Sequence, residues 1–201
     1  MDQNSQLRKS IRKQRRALSK VQQKRIEHDI LKKFLTHPQF AQAEKIGFYL
    51  NAFGEVKTRK IIEMSFARYK KVYLPMICNM NQRLVWVKIS KNQFRQRRFS
   101  RHALGMLEPM ASRGLHVSHL DLLVLPLLAC DPKGTRMGMG GGFYDRTLAT
   151  APQRPYRLGV AHDFQFLNEP LQRNDWDQPL DALITPSKVY RFSRHSSQFK
   201  L

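Results

Sequence analysis

Apolar residues recur at helical spacing early in the chain, where Leu7, Ile11 and Leu18 stand among Arg8, Lys9, Arg12, Lys13, Arg15 and Arg16. That pattern predicts a short amphipathic helix. Ser19 and Gln22 have the form of a capping box, so a second helix starts there, with Ile26, Ile30, Leu31 and Phe34 on one face. Pro38 is expected to close it. The apolar run 46–50 reads as a strand and 51–55 as a loop. Thr58 is placed to cap a helix through Tyr69 that turns Ile61, Ile62, Ser65 and Phe66 inward. Strands are expected over 71–74, ended by Pro75, and over 84–89.

The stretch 91–103 is basic and irregular, whereas Leu122–Leu125 is continuously apolar, as in a strand buried on both faces. A glycine-rich loop and a helix over 143–149 follow, then short strands over 158–161 and Ala182–Ile184. Strands that alternate with helices predict an α/β fold, a three-layer α/β/α arrangement around a mainly parallel sheet. No repeat or linker divides the chain, so 1–201 is expected to be one domain, with basic helices over 1–36 packed on it and a flexible tail over 187–201.

Charge changes the picture more than composition does. Lys and Arg total 36 against 15 Asp and Glu, a formal net charge of +21. Such a field attracts polyanions: nucleic acid, polyphosphate or a polycarboxylate. No apolar run reaches the length of a membrane span, and 1–20 lacks the apolar region of a secretory signal. Cys78 and Cys130 each stand alone in an apolar stretch, which suits buried, reduced thiols and the cytoplasm. His116 and His119 have helical metal spacing but no third ligand nearby, so they read as a surface pair, and His162-Asp163 follows a strand near the expected cleft without an assigned role.

The candidate chemistry lies in the segment Asp131 to Arg146, between a buried strand and a helix start, where open α/β sheets bind ligands. Gly138, Gly140, Gly141 and Gly142 bare the main chain, so several N–H groups can approach one anion. Arg136 supplies a planar, permanently charged donor for phosphate, and Asp145 in the first helical turn can hold Mg²⁺ against it. A dinucleotide fingerprint fails at Phe143 and a Walker A fingerprint fails at Met139. A glycine-rich turn without a ligand is the plain alternative.

The run RMGMGGGFYDR resembles the signature of the 5-formyltetrahydrofolate cyclo-ligase family, also called 5,10-methenyltetrahydrofolate synthetases. LRKSIRKQRRALS, FYLNAFGEVKT, VYLP, LGMLEP, LGVAHDFQ and PLDALITPSKV are similar to further family segments and occur in the family's order. The resemblance implies a soluble enzyme that uses ATP and Mg²⁺ to convert 5-formyltetrahydrofolate into 5,10-methenyltetrahydrofolate, releasing ADP and phosphate. It implies ATP contacts at Arg8, Arg136, Met137, Gly138, Met139, Gly140, Gly141, Gly142, Phe143 and Tyr144. It implies substrate contacts at Leu50, Glu55, Met139, Gly140, Gly141, Gly142 and Phe143, with Glu55 on the pterin ring. Arg136 and Asp145 then carry catalysis, and Asp145 and Asp181 hold Mg²⁺. Without the resemblance, Asp181 reads equally as a turn residue and Glu55 as a solvated loop carboxylate.

Three positions depart from the family pattern: Asn4 replaces a lysine, so that its phosphate contact is either lost or taken over by Lys9 or Arg12; Met139 replaces a frequent arginine; and Lys57 replaces an acid, which favours a polyglutamate tail. A monomer acting on small molecules is expected, without a membrane or nucleic-acid partner. The rival readings are a basic nucleic-acid-binding module, suggested by the charge and by aromatics among the arginines of 94–99, and a phosphate-substrate enzyme of similar fold.

Overall fold

The computed structural model describes residues 3–194. Helices α1 (Gln3–Ala17) and α2 (Lys20–Leu35) form as the periodicity predicts. Between them the Ser19 hydroxyl accepts the Gln22 N–H while the Gln22 side chain accepts the Ser19 N–H, a complete capping box. Helix α2 stops at its Thr36 cap, and Pro38 instead opens the short helix α3 (Pro38–Gln42). A proline is well suited to the first helical position, because its missing N–H has no partner there anyway.

Next come β1 (Lys45–Gly47), α4 (Arg59–Ala67), β2 (Lys71–Cys78) and β3 (Arg83–Ile89). The first strand is shorter than its apolar run, because residues beyond Gly47 turn away to form the loop that carries Glu55. Thr58 does not cap α4 with its side chain; its hydroxyl donates to the Tyr49 carbonyl and ties that loop to the helix. Nor does Pro75 end its strand. It pairs with Trp86, and Trp86 spends both main-chain groups on Leu115, so no ladder bond is asked of the missing proline N–H. The basic stretch after β3 is ordered as α5 (Lys91–Arg95) and β4 (Phe99–Arg101), which pairs with β5 (Leu107–Pro109).

Strand β6 (Leu122–Leu125) leads into a small hairpin of β7 (Ala129–Cys130) and β8 (Arg136–Met137), then α6 (Phe143–Leu148). Strands β9 (Tyr156–Val160), β10 (Ala182–Ile184) and β11 (Val189–Arg191) complete the chain. The seven-stranded order is β11-β10-β9-β6-β1-β2-β3. The five strands from β10 to β2 are parallel, and β11 and β3 close the edges antiparallel. Part of the expected flexible tail is therefore the edge strand β11, held by its register with β10; residues 195–201 lie outside the described residues.

Side chains of β6 alternate between two cores: Leu122 and Val124 face α2 and α4, whereas Leu123 and Leu125 join Trp86, Val117 and Leu148 on the other side. This is a three-layer α/β/α fold. A smaller apolar cluster, Ile11 with Leu128, Ala129 and Met137, seats α1 on the hairpin of β7 and β8. Gly47 is required by packing, since a Cβ there would lie 2.6 Å from Leu120 and 3.0 Å from the Trp86 ring. Gly47→Ala is expected to lower stability by about 1–3 kcal/mol through overpacking, measurable by chemical denaturation.

Candidate active site

A cavity of about 890 Å³ opens at the carboxyl ends of β1 and β6, where the loop 48–55, the glycine loop and the segment 171–178 converge. Helix α1 runs along it. Arg8 donates to the Gly138 carbonyl at 3.4 Å, Arg12 to the Met139 carbonyl at 3.5 Å, and Arg15 lies against Gly54 further along the helix. The structure thus brings together Arg8, Leu50, Glu55, Asp145 and the whole of 136–144 around one space.

The glycine loop owes its shape to backbone conformations that other residues resist. Gly140 has φ +108° and Gly142 φ +64°, and Gly142 forms the start of α6. Carbonyls of the turn face cations: besides Arg8 and Arg12, Arg146 donates to the Gly141 carbonyl at 2.7 Å. A Cβ on Gly138 would come within 3.0 Å of the Arg136 guanidinium, so bare backbone lets that side chain lie beneath the turn.

Arg136 is nearly enclosed, and its Nη2 donates to both oxygens of Asp145, at 2.9 and 2.8 Å. Its guanidinium carbon stands 5.6 Å from the centre of the Tyr144 ring. The Gln178 N–H adds a third bond to Asp145 at 3.1 Å. Asp145 still borders the cavity, with 17% of its side chain exposed, so it can face a ligand without leaving Arg136.

Asp181 is not brought to this place. It precedes β10 at the opposite end of the sheet, accepts the Arg157 N–H at 2.7 Å and pairs with Arg194, and it does not border the cavity. The expected pairing of Asp145 with Asp181 is therefore corrected: of the two, only Asp145 borders the cavity. Among the described residues no cluster of three His, Cys, Asp or Glu side chains forms a dedicated metal cage. Asp145 shares the cavity lining with the carboxylates of Glu55, Glu108 and Asp177, and a site with one or two carboxylates fits Mg²⁺, which keeps several waters and takes other ligands from a substrate's phosphates.

Glu55 sits at the other end of the cavity. Its carboxylate accepts the Ala52 N–H at 2.9 Å, and burial pushes its pKa up despite that bond and the nearby Arg15 charge. Burial likewise raises the phenols of Tyr49 and Tyr144 and keeps them protonated. The Tyr49 hydroxyl donates to the Val56 carbonyl, holding the loop behind Glu55. A raised carboxylate pKa means that the folded protein binds its proton more tightly than the unfolded chain does. The stabilising contribution is thus complete below the ordinary value of 4.5 and is lost as pH rises toward the folded value. Glu55→Gln removes the titrating group and is expected to flatten this pH dependence of stability; thermal melts across pH check it.

Arg15 was not singled out in the sequence, although its signal was present. It occupies the inward stripe of α1, four positions after Ile11, and only 2% of it is exposed. Its Nη2 donates to the Leu127 carbonyl, while Nε and Nη1 lack a hydrogen-bond partner; burial lowers its pKa, and the nearby Glu55 charge opposes that shift. Other sequence candidates fall outside the cavity. His162 Nε2 donates to the Gly54 carbonyl at 3.2 Å and ties the end of β9 to the loop that carries Glu55. His116 bonds Ser118 and Thr150, and Cys130 is buried, whereas Cys78 is half-buried.

The model of the 5-formyltetrahydrofolate cyclo-ligase family matches residues 1–186. The chain belongs to that family. It is 36% identical over 186 residues to the 5-formyltetrahydrofolate cyclo-ligase of Escherichia coli K12, which covers 90% of this chain and all of the relative. The Haemophilus influenzae enzyme of the same name is 34% identical, over 89% of this chain and 96% of its own. Among solved structures, the 5,10-methenyltetrahydrofolate synthetase of Aquifex aeolicus superposes with a TM-score of 0.80 at 26% identity, covering 98% of this chain and 99% of that one.

Within the family frame, the three departures sort by geometry. Asn4 borders the cavity, and Arg12, one turn beyond Arg8, also reaches the loop. Met139 is 39% exposed beside Arg12. Lys57 does not border the cavity and pairs with Glu27 of α2 at 2.8 Å.

Proposed function

We propose that the protein converts 5-formyltetrahydrofolate into 5,10-methenyltetrahydrofolate, with ATP hydrolysed to ADP and phosphate. Membership of the cyclo-ligase family supports the overall reaction, and the Arg136–Asp145 pair beneath the glycine turn is the observation that carries the ATP reading. A formamide oxygen is a poor leaving group. Transfer of the γ-phosphoryl to that oxygen creates a phosphorylated iminium; N10 attacks its carbon and releases its proton to solvent, and departure of phosphate completes the bridge. Such chemistry asks the protein for alignment and charge neutralisation rather than for a covalent nucleophile.

In this reading the backbone of 138–142 and the guanidiniums of Arg8, Arg12 and Arg136 hold the triphosphate, and Phe143 and Tyr144 close the turn against it. Asp145 would hold Mg²⁺ together with phosphate oxygens; the ion would neutralise charge on the transferring group. Leu50 and Glu55 receive the pterin, so that the formyl group lies over the glycines between the two ends. The free thiols of Cys78 and Cys130 support a reducing cytoplasm. The +21 charge then serves anionic substrates rather than a nucleic acid.

Purified protein with 5-formyltetrahydrofolate, Mg²⁺ and ATP is expected to generate the near-ultraviolet absorbance of the methenyl product, one product per ADP. Absence of that band with intact substrate binding would sink the proposal.

A further inference from the structure

We infer that Trp176 is the stacking surface for the purine base of the nucleotide, at the end of the cavity away from Glu55. The inference deepens the ATP reading above and rests on it. Trp176 is 68% exposed, in contrast to the fully buried Trp86, and it borders the cavity together with Asn174. A large indole face left open at the mouth of a ligand cavity offers a planar, apolar surface with no charge requirement.

Position selects the nucleotide over the pterin. The segment 171–178 is anchored at both ends: the Leu171 N–H donates to the buried Asp131 carboxylate at 3.0 Å, and the Gln178 N–H donates to Asp145 at 3.1 Å. Trp176 is therefore two residues from the bond to the proposed phosphate carboxylate, a reach of at most about 7 Å of chain. The ribose and first phosphates of a nucleotide cover a comparable span. Leu171 and Leu7 also pack against one cluster around Ile11, which places the segment beside the first half of α1. Arg15, which marks the Glu55 end, is eight positions beyond Leu7, roughly 12 Å along the helix.

The backbone beneath the indole is held. Asp177 accepts from the Asn174 N–H at 2.8 Å and from its side-chain amide at 3.3 Å, and the Gln178 amide donates to the Trp176 carbonyl at 3.3 Å. The ring is thus presented by a braced turn, and the neutral amides of Gln172 and Asn174 border the same cavity.

Binding of Mg-ATP and of Mg-tripolyphosphate to the full chain, followed by tryptophan fluorescence and calorimetry, tests this. ATP is expected to quench Trp176 and tripolyphosphate to leave it unquenched. Trp176→Ala should weaken ATP about tenfold, the size of one base–aromatic stack, and leave tripolyphosphate affinity unchanged; Trp176→Phe should retain most of the ATP affinity. Unchanged ATP affinity in Trp176→Ala, or equal losses for both ligands, overturns the subsite while leaving the ATP reading intact. Failure of the parent protein to bind either ligand overturns both.

Discussion

Asp145→Ala is expected to lower kcat about a thousandfold, near the upper range for removal of one charge-organising group from a transition state. Two things are lost together. The cavity forfeits the carboxylate proposed to hold Mg²⁺, and Arg136, whose side chain is only 3% exposed, loses its charge partner. Stability should also fall, by about 1–3 kcal/mol, because an enclosed guanidinium is left unsatisfied. Asp145→Asn separates the effects. Its amide oxygen still accepts from Arg136 and from the Gln178 N–H, so Tm should recover while kcat stays low. Steady-state rates and thermal melts on both variants check the pair, and an active asparagine variant would remove the metal role from Asp145.

Gly140→Ala is expected to raise KM for ATP about five- to thirtyfold with little change in Tm. The cause is conformational rather than steric: Gly140 has φ +108°, yet no atom lies within 4 Å of the place a Cβ would take. Holding an L-residue on the left-handed side costs roughly 1–2 kcal/mol, and the exposed turn will relax rather than bear it. Relaxation moves the main-chain N–H groups away from the position a phosphate requires. Equal ATP affinity in glycine and alanine forms would show that the turn's shape is irrelevant to the nucleotide.

How much of this was legible beforehand depended on whether the signal was local. The capping box of Ser19 and Gln22 and the double-faced strand β6 were readable because their partners are a few residues apart or their burial is uniform. Pro75 misled, since whether a strand tolerates proline depends on Leu115 occupying the far side of Trp86. The edge strand β11 was hidden for a similar reason: nothing in 189–191 announces the pairing with β10. At the site, the glycines, Arg136 and Asp145 formed one contiguous pattern. Asp181 did not, and its engagement with Arg157 and Arg194 is invisible without the fold. Arg15 was legible as a charge on an apolar stripe, but its nearness to Glu55 joins positions forty residues apart through the packing of α1 on Gly54.

The measurement that reaches the chemistry most directly follows the formyl oxygen. With heavy oxygen placed in the formyl group of 5-formyltetrahydrofolate, phosphoryl transfer to that atom should deliver the label into the released inorganic phosphate, one atom per turnover. Label recovered in water, with phosphate carrying only its original and solvent oxygens, would contradict activation by ATP at the formyl oxygen and with it the role given to the glycine turn.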